Sequence, residues 1–317
     1  MDRNRRDVAA IQVDLDAAWV ACASLGFPYG NGPDGYYPAL DRFLRLFDAH
    51  GVQATFFAVG SDLEHPDRAE AVCAARAAGH EIASHGMHHI LGMQLLSKAR
   101  KLEEIACAEQ QIAAVVGRAP VGFRCPACDV DEEMLAILVE RGYLYDASLL
   151  PSIFARAMSL SVRVFAASGF RPRHKFGKWR YALAPPKPYR PNPAAIWRKG
   201  QGRIVEFPMT VSPLLRYPFY GTPVVALGRR GFELLFRMVR RRRGPVNFTF
   251  HLCDLVDPAC DPIGPDLARL PNVNIPLAQK ERWAHGVVEA LKTRYEFHTT
   301  EDICRNWLDA NPARPVI

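Results

Sequence analysis

Two hydrophobic periods alternate along residues 8–150. Val8–Val13 is a short apolar run that ends in acids. Pro38–His50 follows with helical spacing, Leu40, Phe43, Leu44 and Phe47 falling on one face, and Gly51 closes it. Ala54–Val59 reads as a buried strand. Pro66–Ala78 is helical and stops at Gly79, and Glu81–Ser84 is a short strand that ends at a histidine. Ser97–Val116 reads as a long helix with a serine N-cap. Val121–Arg124 is a strand, Asp131–Arg141 a helix ended by Gly142, and Tyr143–Ala147 a strand. Strands and helices in strict alternation predict an α/β fold with a parallel sheet or barrel and helices outside it.

Residues 151–245 break this rhythm. The stretch is rich in Pro, Arg and aromatic residues (RPRHKFGKWRYALAPPKPYRPNP) and reads as a long basic insertion. The earlier style then returns. Val246–Phe250 is a strand running into His251, Ala278–Thr293 a helix, Tyr295–His298 a strand and Thr300–Leu308 a capped helix. No internal repeat is visible. Residues 1–317 therefore read as a single domain with an insertion at 151–245.

Composition narrows the class. With 317 residues, 49% hydrophobic and 23% charged, the chain can bury a sizeable core. Its formal charge of +7 is uneven: from Arg163 to Arg243 only Glu206 and Glu233 are acidic. Such a region suits an anionic partner: a membrane surface, a phosphorylated substrate or a nucleic acid. The eight cysteines are Cys22, Cys73, Cys107, Cys125, Cys128, Cys253, Cys260 and Cys304. Scattered through a chain of this size, they read as free thiols in a reducing compartment. The charged start MDRNRRDVAAIQVDLD lacks the run of about 7–15 apolar residues a signal peptide needs. The expectation is a cytoplasmic protein, soluble or resting on the inner membrane face.

Candidate chemistry gathers at strand C-terminal ends, where α/β folds build their sites. In Val13–Asp16 (V-D-L-D), Asp14 and Asp16 point to one side of a strand. Two carboxylates there repel unless a cation or proton sits between them; the alternative is a solvated strand end or an N-cap. In Ser84–His89 (S-H-G-M-H-H), one helical turn would bring His85 and His89 together, a common zinc-ligand spacing, and His88 could substitute at three apart. Two histidines and an aspartate form a three-ligand set that leaves a position for water. In Phe123–Ala127 (F-R-C-P-A), Arg124 can pair with Asp14. In Phe248–Asp254 (F-T-F-H-L-C-D), His251 is a candidate general acid, and Asp254 either orients it or is solvated.

On these motifs the sequence resembles the polysaccharide deacetylase (NodB-homology) family of carbohydrate esterases. That family carries a T-F-D-D first motif, H-x-x-x-H, R-x-P and a late strand ending in His. Here they stand as V-D-L-D, His85–His89, Arg124–Cys125–Pro126 and Phe250–His251. The stretches G-V-Q-A-T-F-F-A-V-G (51–60) and G-H-E-I-A-S-H (79–85) are similar too, and the likeness covers about residues 8–150 and 246–310. The resemblance implies a distorted (β/α) barrel and a metal-dependent hydrolase that removes an N-acetyl or N-formyl group from an amino sugar. It implies Asp14 as general base and Asp16, His85 and His89 as ligands of a divalent metal, Zn2+ foremost. Arg124 would tether Asp14, His251 would protonate the leaving amine, and a backbone N–H near Ala127 would help hold the oxyanion. Three departures stand out. The paired aspartates are D-x-D, as in the branch that deformylates lipid-linked aminoarabinose. Ala127 replaces an aromatic residue. Leu252–Cys253–Asp254 follows the late histidine where some subfamilies have P-W-E.

The D-x-D, the basic insertion and the expected compartment together suggest an anionic or membrane-borne amino sugar, such as one linked to polyprenyl phosphate, with peripheral membrane contact through 151–243. Two other readings share the residues: a catalytically silent sugar- or lipid-binding barrel, favoured by Ala127, and an amidohydrolase acting on a non-sugar C–N bond. C-P-A-C (Cys125–Cys128) has no second C-x-x-C to build a zinc site and reads as two thiols lining the site loop. In Arg229–Arg243, Phe232, Leu235, Phe236 and Val239 share a helical face, which suits either a core-facing helix or one lying on a membrane. Ile153–Phe170, broken by Arg156 and Arg163, is similar in apolar content. His80 reads as a packing residue, and His50, His65, His174 and His298 have no motif context. No nucleic-acid-binding motif is present, and no nucleic-acid partner is expected.

Overall fold

A computed structural model describes residues 7–17, 20, 35–154, 178–263, 268 and 273–312, with the side chains of 222–227 excepted. Cys22, Arg156, Arg163, His174 and most of Ile153–Phe170 lie outside the described residues. In chain order the elements are β1 (Asp7–Asp14), α1 (Tyr36–His50), β2 (Thr55–Ala58), α2 (Pro66–Ala77), β3 (Glu81–Ser84), α3 (Lys98–Val116), β4 (Gly122–Phe123), α4 (Glu132–Glu140) and β5 (Tyr145–Asp146). There follow β6 (Pro191–Asn192), β7 (Ala195–Lys199), β8 (Val205–Glu206), α5 (Gly221–Val239), β9 (Val246–His251), α6 (Leu277–Lys292), β10 (Tyr295–Phe297) and α7 (Thr300–Ala310).

Eight strands form one parallel sheet, in the order β10-β1-β2-β3-β4-β5-β8 with β9 also on β1. β1 is the hub. Gln12–Asp14 pair with β2, Asp7–Ala9 with β10, and Ala9–Asp14 with β9. Its alternate residues Ile11 and Val13 face one apolar layer, while Gln12 and Asp14 face the other side. The sheet curls into a half-barrel with helices outside. Between β8 and β9 no strand pair closes the curl among the described residues, and a side chain does so instead. Asn247 accepts from the Thr210 N–H at 2.8 Å, its own N–H donates to Thr210 Oγ1 at 2.8 Å, and its amide donates to Pro208 O at 3.0 Å. One buried amide thereby substitutes for a rung of the ladder.

Helix boundaries follow local chemistry. Ser97 caps α3 through the Arg100 N–H at 3.4 Å, Asp131 caps α4 through the Met134 N–H at 2.9 Å, and Thr299 caps α7 through the Asp302 N–H at 3.2 Å. Gly51 and Gly117 end α1 and α3 in left-handed conformation.

The stretch 151–245 is less separate than its composition suggests. Val205–Glu206 is a strand of the main sheet, paired with β5. In α5, Phe232, Leu235, Phe236 and Val239 are buried in the main core, stacked towards Phe219 and Phe248. The core-facing reading of Arg229–Arg243 therefore holds for its apolar face. His80 is buried and accepts the Ala54 N–H at 3.0 Å, as a packing residue should.

Candidate active site

All four motif segments end at one rim of the sheet. Parallel pairing sets Asp14 against Phe57 on one side and His251 on the other. Ser84, the last residue of β3, pairs with Phe123 at the end of β4. Residues remote in sequence converge because parallel strands bring all their C-terminal ends to the same edge.

Asp16 Oδ1 lies 3.3 Å from His85 Nε2 and 3.5 Å from His89 Nε2, and the three candidate donor atoms all lie within 4.8 Å of one another. The imidazole centroids are 4.8 Å apart. A helical turn does not bring them together, as the spacing suggested. Residues 85–90 form a loop, and His89 adopts the left-handed conformation with φ 48°. His88 points elsewhere: its Nδ1 stands 2.7 Å from Glu104 Oε1, and its backbone N–H donates to Glu104 Oε2 at 3.0 Å. Glu104, from α3, thus clamps the loop beside His89.

His85 Nδ1 stands 2.7 Å from the Arg124 carbonyl, which can only accept. Nδ1 therefore carries the proton and Nε2 presents its lone pair towards Asp16. Burial drives the basicity of His89 down, to about 4, which favours the neutral ring a cation needs. Burial also opposes charge on His85, but Asp16 and Asp14 outweigh it and raise its pKa. At Asp16, burial is outweighed by His89 and His85, and its carboxyl is held well below the usual range. Among the described residues, Asp16 Oδ1 is buried without a hydrogen bond. Two imidazole nitrogens and an orphaned carboxylate oxygen fit a divalent cation of the zinc type.

Asp14 is held from the opposite side. Arg124 Nη1 donates to Asp14 Oδ1 at 2.5 Å, Nη2 to Gln12 Oε1 at 2.5 Å, and Nε to Ala147 O at 3.1 Å. The guanidinium lies 4.2 Å from the Phe57 ring centroid. Asp14 Oδ2 faces His251 Nε2 at 3.9 Å. His251 is partly exposed and stands 6.0 Å from the Tyr220 ring. Asp254 is buried rather than solvated and accepts the His251 backbone N–H at 2.9 Å, which ties down the strand end.

Ala127 and Cys128 are consecutive left-handed residues, with φ 53° and 58°. They reverse the chain sharply after Pro126. Behind them, the Cys125 N–H donates to Ser148 Oγ at 2.8 Å, and Ser148 donates to Asp146. The two thiols diverge, Cys125 Sγ towards Met93 Sδ at 4.0 Å and Cys128 Sγ towards Met209 Sδ at 3.8 Å. Burial pushes Cys125 well up and Cys128 to about 12, which leaves both as unreactive thiols lining the loop.

Gln12, Ser148, Tyr220 and Glu104 were not singled out from the sequence. Gln12 could have been: it sits two residues before Asp14 on the same strand face. Tyr220 and Glu104 come from outside the motifs and carry no local signal.

The residue range 29–145 matches the family model described as polysaccharide deacetylase. That range holds His85, His89 and Arg124; Asp14, Asp16 and His251 lie outside it and join them only in three dimensions. The chain is similar to the peptidoglycan deacetylase-like protein FGM2 of Gibberella zeae, at 30% identity over 47% of this chain and 45% of that protein. It is also similar to a peptidoglycan deacetylase of Helicobacter pylori, at 27% identity over 46% of this chain and 51% of that one. The chain thus spans about half the length of these relatives. A solved structure described as a polysaccharide deacetylase from Mycobacterium smegmatis shares the fold, with a TM-score of 0.61 at 18% identity over 99% of this chain and 95% of the other.

Proposed function

On the match of residues 29–145 to the polysaccharide deacetylase family model, we propose that the chain is a member of that family and a metal-dependent hydrolase that removes an N-acyl group from an amino sugar. The observation that carries this reading is the convergence of Asp16 Oδ1, His85 Nε2 and His89 Nε2 beside an Asp14 pinned by Arg124. Asp16, His85 and His89 would hold a divalent cation, most suitably Zn2+, which when bound supplies Lewis acidity and makes water a nucleophile near neutral pH. Arg124 occupies Asp14 Oδ1, so Oδ2 is the oxygen left to take the proton of the attacking water. His251, across from Oδ2, gives its proton to the sugar nitrogen as the C–N bond breaks. Water thereby adds its oxygen to the acyl carbon; one of its protons stays with the carboxylic acid product, and the one taken by Asp14 replaces, by way of solvent, the proton that His251 gives to the amine. The turn at Ala127 would offer a backbone N–H to the oxyanion.

The basic excess of 163–243 supports a substrate borne on an anionic lipid such as a polyprenyl phosphate, at the cytoplasmic face of a membrane. The test is release of acetate or formate by purified protein from N-acylated amino sugars, free and lipid-linked. The wild type should release acid, and Asp14→Asn should lose about 100-fold or more in turnover. Normal turnover in Asp14→Asn would overturn the mechanism. A silent sugar-binding barrel is favoured by Ala127 alone, and metal analysis separates the two. A stoichiometric ion lost in His85→Ala supports the enzyme; metal-free protein that still binds sugar supports the binder.

A further inference from the structure

The chain from Ser212 to Tyr217 folds into a tight, well-anchored loop. Val211 and Pro218 form an antiparallel bridge at its base. The Ser212 N–H donates to Tyr217 O at 2.8 Å, the Arg216 N–H to Ser212 O at 3.1 Å, and the Tyr217 N–H to Ser212 Oγ at 3.0 Å. Leu214 and Arg216 are both left-handed, at φ 62° and 52°, a region side-chain-bearing residues rarely adopt. The outcome of this unusual backbone is that Leu214 is 97% exposed and Leu215 59%. A loop this firmly tied could have carried polar residues at its tip; it carries two leucines held out into solvent.

Neighbouring segments add to the same patch. Arg216 turns back and donates to the carbonyls of Ala182 and Ala184, which sets Leu183, 61% exposed, beside the loop. The Phe154 and Tyr217 rings lie 5.4 Å apart, which brings in Ile153, 61% exposed. Trp179 is exposed in the same turn as Leu183, with the Arg180 guanidinium 6.0 Å from the Trp179 ring and 5.2 Å from the Trp197 ring. Exposed aliphatic side chains bordered by tryptophan and arginine suit the boundary between lipid tails and headgroups.

Charge identifies the partner. Between Lys178 and Arg243 the sequence carries fifteen Lys and Arg against two acids, and one of the two, Glu206, is buried. Arg242 donates to Val211 O at 2.8 Å and to the carbonyl of Pro186, which fastens the end of α5 to the base of the loop. Arg240, Arg241 and Arg243, exposed on either side of Arg242, therefore flank it. We infer that Leu214 and Leu215, with Leu183, Ile153 and Trp179, form a wedge that inserts into an anionic lipid bilayer, with Arg240, Arg241 and Arg243 meeting the headgroups. The loop's base also packs with Leu150, Met209 and Tyr220, and Tyr220 reaches His251. The inference deepens the reading of a membrane-borne substrate, but it does not depend on the chemistry of the site.

The test is sedimentation of the full chain with vesicles of phosphatidylcholine, with and without phosphatidylglycerol. The wild type should bind vesicles containing phosphatidylglycerol and weaken with salt. Leu214→Ser/Leu215→Ser should lose about a hundredfold in partitioning, because each leucine buried in lipid is worth about a tenfold gain. Arg241→Gln/Arg243→Gln should lose binding at low salt only on the anionic vesicles. The leucine pair buries little in the folded protein, so thermal melting of that variant should match the wild type. No wild-type binding, or equal binding of the leucine variant, overturns the inference. So does a dimer in solution that the leucine variant dissolves, which would assign the patch to a second copy of the chain. Vesicle binding is read without turnover, so its failure leaves the deacylation reading standing, and failure to release acid leaves the wedge standing.

Discussion

Arg124 offers the sharpest test of how the site is held. Its side chain is 2% exposed and its charge is met by Asp14 Oδ1 at 2.5 Å, with Gln12 and the Ala147 carbonyl completing the set. Arg124→Met keeps the volume and removes the charge. Asp14, 5% exposed, would then be a buried carboxylate without its guanidinium, left facing the His251 ring at 3.9 Å. Breaking such a pair from one side costs about 3–5 kcal/mol, with about 1 kcal/mol more for the lost contact over Phe57. Adding Asp14→Asn removes the stranded charge, so the double variant should recover about 2 kcal/mol relative to the sum of the singles. Urea unfolding under excess chelator measures this without the stabilisation that a bound ion adds. Cation binding should differ from the other two properties. The Arg124 backbone carbonyl, not its side chain, orients His85, so folded Arg124→Met should bind zinc within a few-fold of the wild type while turnover collapses. Strict additivity of the two substitutions would refute the pairing. Loss of zinc affinity in a folded Arg124→Met would refute the division between backbone and side chain.

Two further predictions concern strain and pH. Ala127 is left-handed, where a Cβ costs about 1–2 kcal/mol, so Ala127→Gly should be near-neutral or stabilising and Ala127→Val destabilising by about 1 kcal/mol or more; urea midpoints in the reverse order would show that the loop relaxes. Burial raises Glu81 from 4.5 to about 7, against hydrogen bonds from Tyr145, Thr55 and the Glu301 N–H. A raised folded pKa gives stability that is complete below about 4.5 and lost as pH rises through about 7, on the order of 3 kcal/mol for this group. Glu81→Gln should therefore flatten the fall in stability between about pH 5 and 8 relative to the wild type; the comparison cancels His80, whose lowered pKa of about 4 acts in the opposite sense. Parallel pH profiles for the two proteins would contradict the assignment.

The parts of the fold that sequence made legible are those with a local physical signal. Glu81–Ser84 has four buried residues between a glycine turn and a histidine, and it is a strand over just those residues. Ser97, Asp131 and Thr299 mark helix starts because their oxygens satisfy the first N–H groups. Val205–Glu206 carried no such mark. Two residues cannot display a period, and their strand exists only because β5 offers an edge. The site divides in the same way. Asp14, Asp16, His85, His89, Arg124 and His251 were visible as chemically unusual residues at strand ends. The loop that joins His85 to His89 was not, because a left-handed histidine at position 89 depends on Glu104 and α3 rather than on its neighbours. Gln12 was hidden for another reason. Its role is to accept from Arg124 and from Thr249, and it donates to Thr300, three partners far apart in the chain.

These connections make Arg124 the residue through which the two halves of the site are aligned. Its carbonyl fixes the tautomer and direction of His85, while its guanidinium fixes Asp14. A shift of β4 would therefore act on a proposed metal ligand and the proposed base together. Glu81 and Tyr145 tie β3 to β5 further down the same sheet, on either side of β4. The two-residue strand β4 is too short to hold its place by backbone pairing alone. Its neighbours on both sides are cross-linked by a buried carboxyl, and its own arginine is anchored in β1. The short strand that carries the third motif is thereby held from three directions, and the polar interior of the half-barrel acts as the scaffold of the site.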